Sequence, residues 1–359
     1  MRVAYVNQDP GVGPGRRKGA SAHVAALQSA LRELGCEVLA IERKDDAGVL
    51  ADLERAHEQR PIDWIYERHA LGAVGAARFA TARRAPLLLE VNAPLFDEAR
   101  AHRGFEPTRE DFARQRMCIE SAAWLLPVSR SIARYLLDHG ALPGRIHVLP
   151  NAVDTRLFHL DAPRAEDFAA PPGTLAVGFH GRLRPWHNLP LLGRALERVL
   201  DAGARVRVLA VGEGDFARAL GPRVAEHLAQ REWMAPELLA RHVACFDVLP
   251  LTYAPDSELY FSPLKLFEAM ACGVAPLVPE LGELPQIVGY GRSGGVYPAG
   301  DDRALAQRLL QWIERPDERR QLGREAARAT AARSWLDVGR EVLALARQAC
   351  EAERGAGAR

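Results

Sequence analysis

The chain has 359 residues, 48% of them apolar and 26% charged. A formal net charge of +1 at pH 7 gives no overall attraction to nucleic acid or to an anionic membrane surface. The length exceeds what one hydrophobic core comfortably serves, so two domains are expected.

The predicted elements of the first half are strands at 3–6, 37–41, 64–67, 87–91, 124–128 and 146–149. Between the first two, Val24, Leu27, Leu31 and Leu34 fall on one helical face that Gly35 closes, the helical period followed by its stop signal. Strand–helix–strand repetition argues for a parallel, doubly wound sheet. The loop after the first strand, 7–21, holds four glycines and ends on a helix start at Gly19 and Ala20. Such a loop lets backbone amides approach a phosphate; a flexible surface loop is the competing reading. It is too long for the G-x-G-x-x-G dinucleotide fingerprint. Within it, Arg16-Arg17-Lys18 is either a phosphate contact or a solvated run. The segment from Phe96 to Arg116 mixes Arg, His and Phe. It reads first as a solvated helix, with an acceptor or a peripheral membrane contact as the alternative.

A stretch rich in Ala, Pro and Asp at 160–173 reads as an interdomain linker. The alternation then restarts with strands at 175–179 and 206–211, separated by a helix at 188–200. A helix near 216–228, a strand at 248–251, a helix at 262, a strand at 275–278 and further helices complete the second half. From Trp335 to Ala349, Leu336, Val342, Leu343, Leu345 and Ala346 have helical spacing. The expected organisation is 1–155, a linker at 156–173, 174–334, and a terminal helix at 335–359 crossing back to the first domain. The fold class is α/β, two Rossmann-like doubly wound parallel-sheet domains facing across a cleft. In such sheets ligands bind beyond the carboxyl ends of the strands.

Three features of the second half meet that rule. Ser262-Pro263-Leu264-Lys265 opens a short helix, with serine as N-cap, proline at the first helical position and backbone amides facing an anion. Glu268 comes next, in an apolar stretch where a carboxylate needs a partner. A ribose diol would serve, and an ion pair with Lys265 is the alternative. Arg182 lies just past the 175–179 strand, where a guanidinium can grip phosphate oxygens in bidentate fashion. His187 lies five residues on, near the next helix start. The Gly212-Glu213-Gly214 turn closes the next strand. Together they describe a nucleoside diphosphate site.

Five scattered cysteines, none in CxxC spacing, argue against a zinc site or a disulfide framework and fit a reducing cytoplasm. A strand beginning at residue 2 leaves no room for a signal peptide, and no apolar run approaches membrane-spanning length.

At this point the chain resembles a family-4 glycosyltransferase of the GT-B fold. The matching pieces occur in order: the glycine loop leading to Ala22-His23-Val24, Tyr66-Glu67-Arg68, Glu90-Val91-Asn92-Ala93-Pro94, Val128-Ser129, Pro150-Asn151-Ala152-Val153-Asp154, Gly181-Arg182-Leu183, Gly212-Glu213-Gly214 and the helix from Ser262 to Gly273. The resemblance implies a nucleotide-sugar donor as co-substrate in the second domain and an acceptor in the first. It further implies transfer with retention, no metal and no other cofactor; no Asp-x-Asp metal motif of the expected kind appears. Carried over by position, Arg182 and the helix start from Ser262 through Pro263 and Leu264 to Lys265 hold the diphosphate. Glu268 takes the ribose, the Gly19–Ala20 loop approaches diphosphate or sugar, and Gly212 lines the donor.

Three departures from the family stand out. His187 replaces a common lysine, which would make its charge pH-dependent near neutrality. Tyr260 stands eight residues before Glu268, where the family has a second glutamate, with Glu258 as a substitute from the loop. Asn92 lies where many members place a histidine, and is assigned hydrogen bonding to sugar or acceptor. The competing functions are a nucleotide-sugar epimerase or hydrolase, a non-catalytic binding protein of the same fold, and a Rossmann dehydrogenase. The acceptor, the nucleotide and the oligomeric state are not legible.

Overall fold

The computed structural model describes residues 1–9, 11–12, 19–260 and 262–357. It divides into two compact units, one of Met1–Asn151, Tyr260–Ser262 and Trp335–Arg359, the other of Ala152–Leu259 and Pro263–Ser334.

In the first unit the strands are β1 (Arg2–Asn7), β2 (Glu37–Glu42), β3 (Trp64–Arg68), β4 (Leu87–Val91) and β5 (Ala122–Pro127). The helices are α1 (Gly19–Glu33), α2 (Asp46–Gln59), α3 (Gly75–Arg83), α4 (Leu95–Arg103), α5 (Arg109–Ser121) and α6 (Arg130–Asp138). All strands pair in parallel in the order β2-β1-β3-β4-β5. β1, at the heart of the sheet, is buried along its whole length, as a strand covered on both faces must be. Leu53, Ile65, Phe79 and Leu87 fill one side of it. The strand expected at 146–149 is absent. Ile146 makes an isolated bridge to Leu125, and the amides of His147 and Leu149 donate to Leu125 and Pro127 carbonyls at 2.9 and 2.8 Å. The segment runs beside edge strand β5 without joining the sheet. In the 96–116 segment, Phe96 packs on Phe105 and Phe112 with ring centres 6.4 and 5.2 Å away. A Thr108–Asp111 capping box starts α5 there.

The second unit carries β6 (Leu175–His180), β7 (Val206–Val211), β8 (Leu228–Arg231), β9 (Val248–Pro250), β10 (Ala275–Pro279) and β11 (Gly295–Tyr297). Its helices are α7 (Leu189–Asp201), α8 (Phe216–Leu220), α9 (Pro222–Ala225), α10 (Pro236–Val243), α11 (Leu264–Ala271), α12 (Leu284–Ile287), α13 (Asp302–Glu314) and α14 (Pro316–Ala331). The order β11-β10-β9-β6-β7-β8, all parallel, is the doubly wound arrangement built from two halves. Leu196, Phe216, Leu309 and Trp312 pack in its core. The single helix expected near 216–228 is broken at Gly221-Pro222, where Gly221 takes φ +89°, and the chain beyond α9 turns into β8. That strand and three-residue β11 escape the sequence reading because they are short and carry little apolar alternation. The expected linker at 156–173 is packed inside the second unit: Phe158, Ala162, Ala165 and Phe168 are buried, and Ala165 donates to the Arg241 carbonyl at 3.0 Å.

The last helix, α15 (Trp335–Gly357), belongs to the first unit and packs along α1. Among the described residues no helix is long and apolar enough to cross a membrane.

Candidate functional site

In the second sheet the chain winds outward in one direction from β6 and in the other from β9, so the strand order reverses between these neighbours. Loops leaving the carboxyl ends of two such strands diverge and leave room for a ligand. Arg182 and His187 come after β6, the Gly212 turn after β7 and α11 after β9, so the arginine, the glycine turn and the helix start do share one sheet edge. Thr252, just past β9, donates from its hydroxyl to the His187 carbonyl at 2.6 Å and ties the two loops together.

Arg182 directs its guanidinium at Glu213, with Nε 2.8 Å from Oε2 and Nη2 on the same oxygen. Both side chains are substantially exposed, so the pair holds the arginine in place at little energetic cost to redirect. Gly212 has a structural reason beyond ligand approach. It sits at φ +140°, and a Cβ there would stand 2.2 Å from the Gly181 carbonyl oxygen. The two turns are laced by Gly181 N–H to Val211 and Leu183 N–H to Glu213 carbonyls, each at 2.8 Å. The glycines let the β6 and β7 loops touch backbone to backbone.

Helix α11 begins one residue later than the sequence suggests. Pro263 is the N-cap and provides no side-chain cap. Ser262 is engaged elsewhere: its hydroxyl oxygen accepts from the Asn151 amide at 3.1 Å and its carbonyl from Asn151 Nδ2 at 2.7 Å. The amides of Leu264 and Lys265 thus open α11 without a serine cap. Lys265 turns away from Glu268. Its Nζ stands 3.0 Å from His187 Nε2 and 4.2 Å from the centre of the Phe179 ring. Burial pulls the Lys265 amine down to about 7 against the countering pull of Glu268. Burial likewise raises Glu268 to about 7, against Lys265. Glu268 Oε2 lies 3.6 Å from Nδ1 of the buried His180.

The expectation that His187 titrates near neutrality is overturned. Burial above all, with Lys265 and Arg184 beside it, pushes it down to about 2, and its Nδ1 accepts from the Arg184 amide at 3.0 Å. The Arg184 N–H pointing at Nδ1 places a lone pair there, which suits the neutral ring.

In the first unit the order β2-β1-β3 places the reversal between β1 and β3, where the glycine loop leaves. Pro10 and residues 13–18, including the Arg16-Arg17-Lys18 run, lie outside the described residues. Gly19 and Ala20 open α1 as expected. The same unit holds a buried cluster that the sequence reading did not assemble. Glu90, 1% exposed, accepts from Arg68 Nη1 at 2.7 Å, from the Tyr66 hydroxyl and from Asn92 Nδ2. His23 Nε2 lies 2.8 Å from the same carboxylate, and His23 Nδ1 lies 2.8 Å from Asn151 Oδ1. Because Asn151 Nδ2 is committed to the Ser262 carbonyl, its oxygen is the atom that faces the ring. Burial alone would raise Glu90, but His23, then Arg68 and Tyr66, hold it far below the usual carboxylate range. A carboxylate so held is a poor base. Asn92 spends its amide on Glu90. Tyr260 packs against this unit's core, its carbonyl accepting from the Ser129 hydroxyl at 2.5 Å, while Glu258 is exposed. Tyr260 thus acts as a packing residue.

Among the described residues no group of three or more His, Cys, Asp or Glu side chains could hold a metal ion.

Residues 174–315 match the family model described as glycosyl transferases group 1, and residues 45–157 match the one described as glycosyltransferase family 4. An amylovoran biosynthesis glycosyltransferase of Erwinia amylovora is 27% identical over 52% of this chain and 46% of that protein. A D-inositol 3-phosphate glycosyltransferase of Stackebrandtia nassauensis is 26% identical over 67% of this chain and 58% of its own. The chain spans about half the length of the curated relatives it matches. Among solved structures, a sucrose-phosphate synthase from Thermosynechococcus elongatus superposes with TM-score 0.76 at 17% identity, covering 98% of this chain and 100% of that one. Anabaena HepE in complex with UDP gives 0.70 at 17%, covering 96% and 98%.

Proposed function

From a chain that belongs to the group 1 and family 4 glycosyltransferases with the GT-B fold, we propose an enzyme that moves a sugar from a nucleoside diphosphate donor to an acceptor hydroxyl with retention of configuration and without a metal. The observation that carries this reading is the convergence of Arg182, Lys265 and Glu268 on the carboxyl edge of the second sheet, where the order of β6 and β9 reverses. Arg182 swings from Glu213 to the diphosphate, the opening amides of α11 and Lys265 face it from the other side, and Glu268 accepts the ribose hydroxyls. The complexes of Anabaena HepE with UDP and with UDP-glucose support a donor of this class.

The chemistry is set by what the residues can do. Glu90 is strongly acidic and fully engaged, and Asn92 cannot take a proton, so the first unit offers the acceptor hydrogen bonds and no base among these groups. The leaving diphosphate oxygen then takes the acceptor proton on the same face of the sugar, which gives retention. The protein stabilises the charge growing on the diphosphate with cations and helix amides. His187, neutral, orients Lys265. The five cysteines are all free, which suits a reducing compartment.

The experiment is a thermal-shift screen of UDP, GDP and ADP sugars, then product detection with candidate acceptors. Arg182→Ala should lower turnover at least tenfold, about 1.4 kcal/mol of lost transition-state stabilisation. Unchanged turnover and unchanged donor affinity in that variant would remove the donor assignment. Rapid donor hydrolysis or epimerisation with no acceptor present would replace transfer by one of those reactions.

A further inference from the structure

The contacts of Lys265 do not suit an ammonium ion. The Arg184 backbone N–H can only donate, and it points at His187 Nδ1 from 3.0 Å. Nδ1 therefore carries no proton, and the neutral ring holds its proton on Nε2. Nε2 lies 3.0 Å from Lys265 Nζ. For that contact to be a hydrogen bond the lysine nitrogen must accept, and only a free amine has the lone pair to do so. A second histidine points the same way. His180 Nε2 donates to the Lys265 carbonyl at 3.2 Å, which leaves a lone pair on Nδ1 facing Glu268 Oε2 at 3.6 Å. That lone pair suits a protonated acid better than a carboxylate. Among the described residues, the Phe179 ring, 4.2 Å from Nζ, and Glu268 favour a cation. Residue choice agrees: three of the 47 basic side chains are lysines (Lys18, Lys44 and Lys265), and arginine could not give up its proton here.

We propose that Lys265 is an uncharged amine in the free protein and takes up a proton when a nucleoside diphosphate arrives, becoming the second cation on the diphosphate beside Arg182. This rests on the donor site proposed above. The balance is simple: one solvent proton bonds to Nζ, the new ammonium turns from His187 Nε2–H to a phosphate oxygen, and no other bond changes. Lowering of the amine by burial agrees with the geometry. Donor affinity should then weaken as pH rises above neutrality, while a fixed guanidinium would show no such trend.

The test is titration calorimetry of the full chain with UDP, GDP and ADP at pH 8, where the terminal phosphate is already ionised. Each is run in phosphate and in Tris buffer, whose ionisation heats differ. Wild type should take up close to one proton per nucleotide bound. Lys265→Met should bind at least tenfold more weakly with no uptake, and Lys265→Arg should bind with no uptake and no pH trend. Binding by wild type without uptake, or equal uptake in Lys265→Met, overturns the inference while leaving the donor site standing. Failure of all three nucleotides to bind overturns both.

Discussion

Glu67 is fully buried, and neither of its carboxyl oxygens has a hydrogen-bond partner among the described residues. Burial, then the nearby Asp46, raises its pKa to about 8. Between the ordinary glutamate range and about 8 the folded chain holds a proton that the unfolded chain has lost, so stability falls as pH rises through that window. At roughly 1.4 kcal/mol per unit the loss is on the order of 5 kcal/mol. Glu67→Gln should flatten denaturation midpoints measured at pH 5, 7 and 9; equal pH slopes in the two proteins would refute the assignment. The same strand shows what was legible at this scale. Tyr66-Glu67-Arg68 stands out as a motif, and strand alternation puts residues 66 and 68 on one face and 67 on the other. Which face meets Glu90 depends on pairing between β3 and β4, which lie 22 to 24 residues apart in the contacts that matter. His23 and Asn151 complete the cluster from 128 residues apart, and no local pattern carries that information.

Elements with strong period and clear punctuation were readable: β7 falls on the expected 206–211, and α7 starts and stops within a residue of expectation. Failures came where tertiary partners overrode local chemistry. Ser262 has ideal cap chemistry, yet Asn151 claims both its hydroxyl and its carbonyl, so α11 opens without it. Gly212 was readable as a turn but not as a contact, because the Gly181 carbonyl it touches belongs to another loop. That difference is testable. Gly212→Ala adds a Cβ 2.2 Å from that oxygen at a backbone angle side chains avoid, so the ligand-free protein should lose about 2 kcal/mol or more, read by thermal or chemical denaturation. If the glycine served only the approach of a ligand, stability without nucleotide would be unchanged and affinity alone would fall.

For the whole molecule, the chain leaves its first unit at residue 151, touches it again at Tyr260–Ser262 and rejoins it with α15, so the first core is completed by a helix far along the sequence. Trp335, Val338, Val342, Leu343, Leu345, Ala346 and Ala349 are buried along α15. Gly339 lies so close to α1 that an added Cβ would stand 3.1 Å from the Ala30 side chain. Removing such a face from its partner forfeits roughly 1.5–3 kcal/mol for each large side chain, an appreciable share of any domain's stability. Yet the groups proposed to bind the donor all lie in the second unit, which has its own core around Phe216 and Trp312. Val342→Asp, which buries an unpaired carboxylate at a position of 0% exposure, should therefore act on one unit. Hydrogen exchange should accelerate in α1, α15 and β1 while β6, β7 and β9 keep their protection. Nucleotide affinity should stay within about tenfold of wild type, whereas sugar transfer, which needs the acceptor unit, should be lost. Acceleration spread evenly over both sheets would mean that the two cores unfold as one, and the assignment of donor binding to the second unit alone would lose this support.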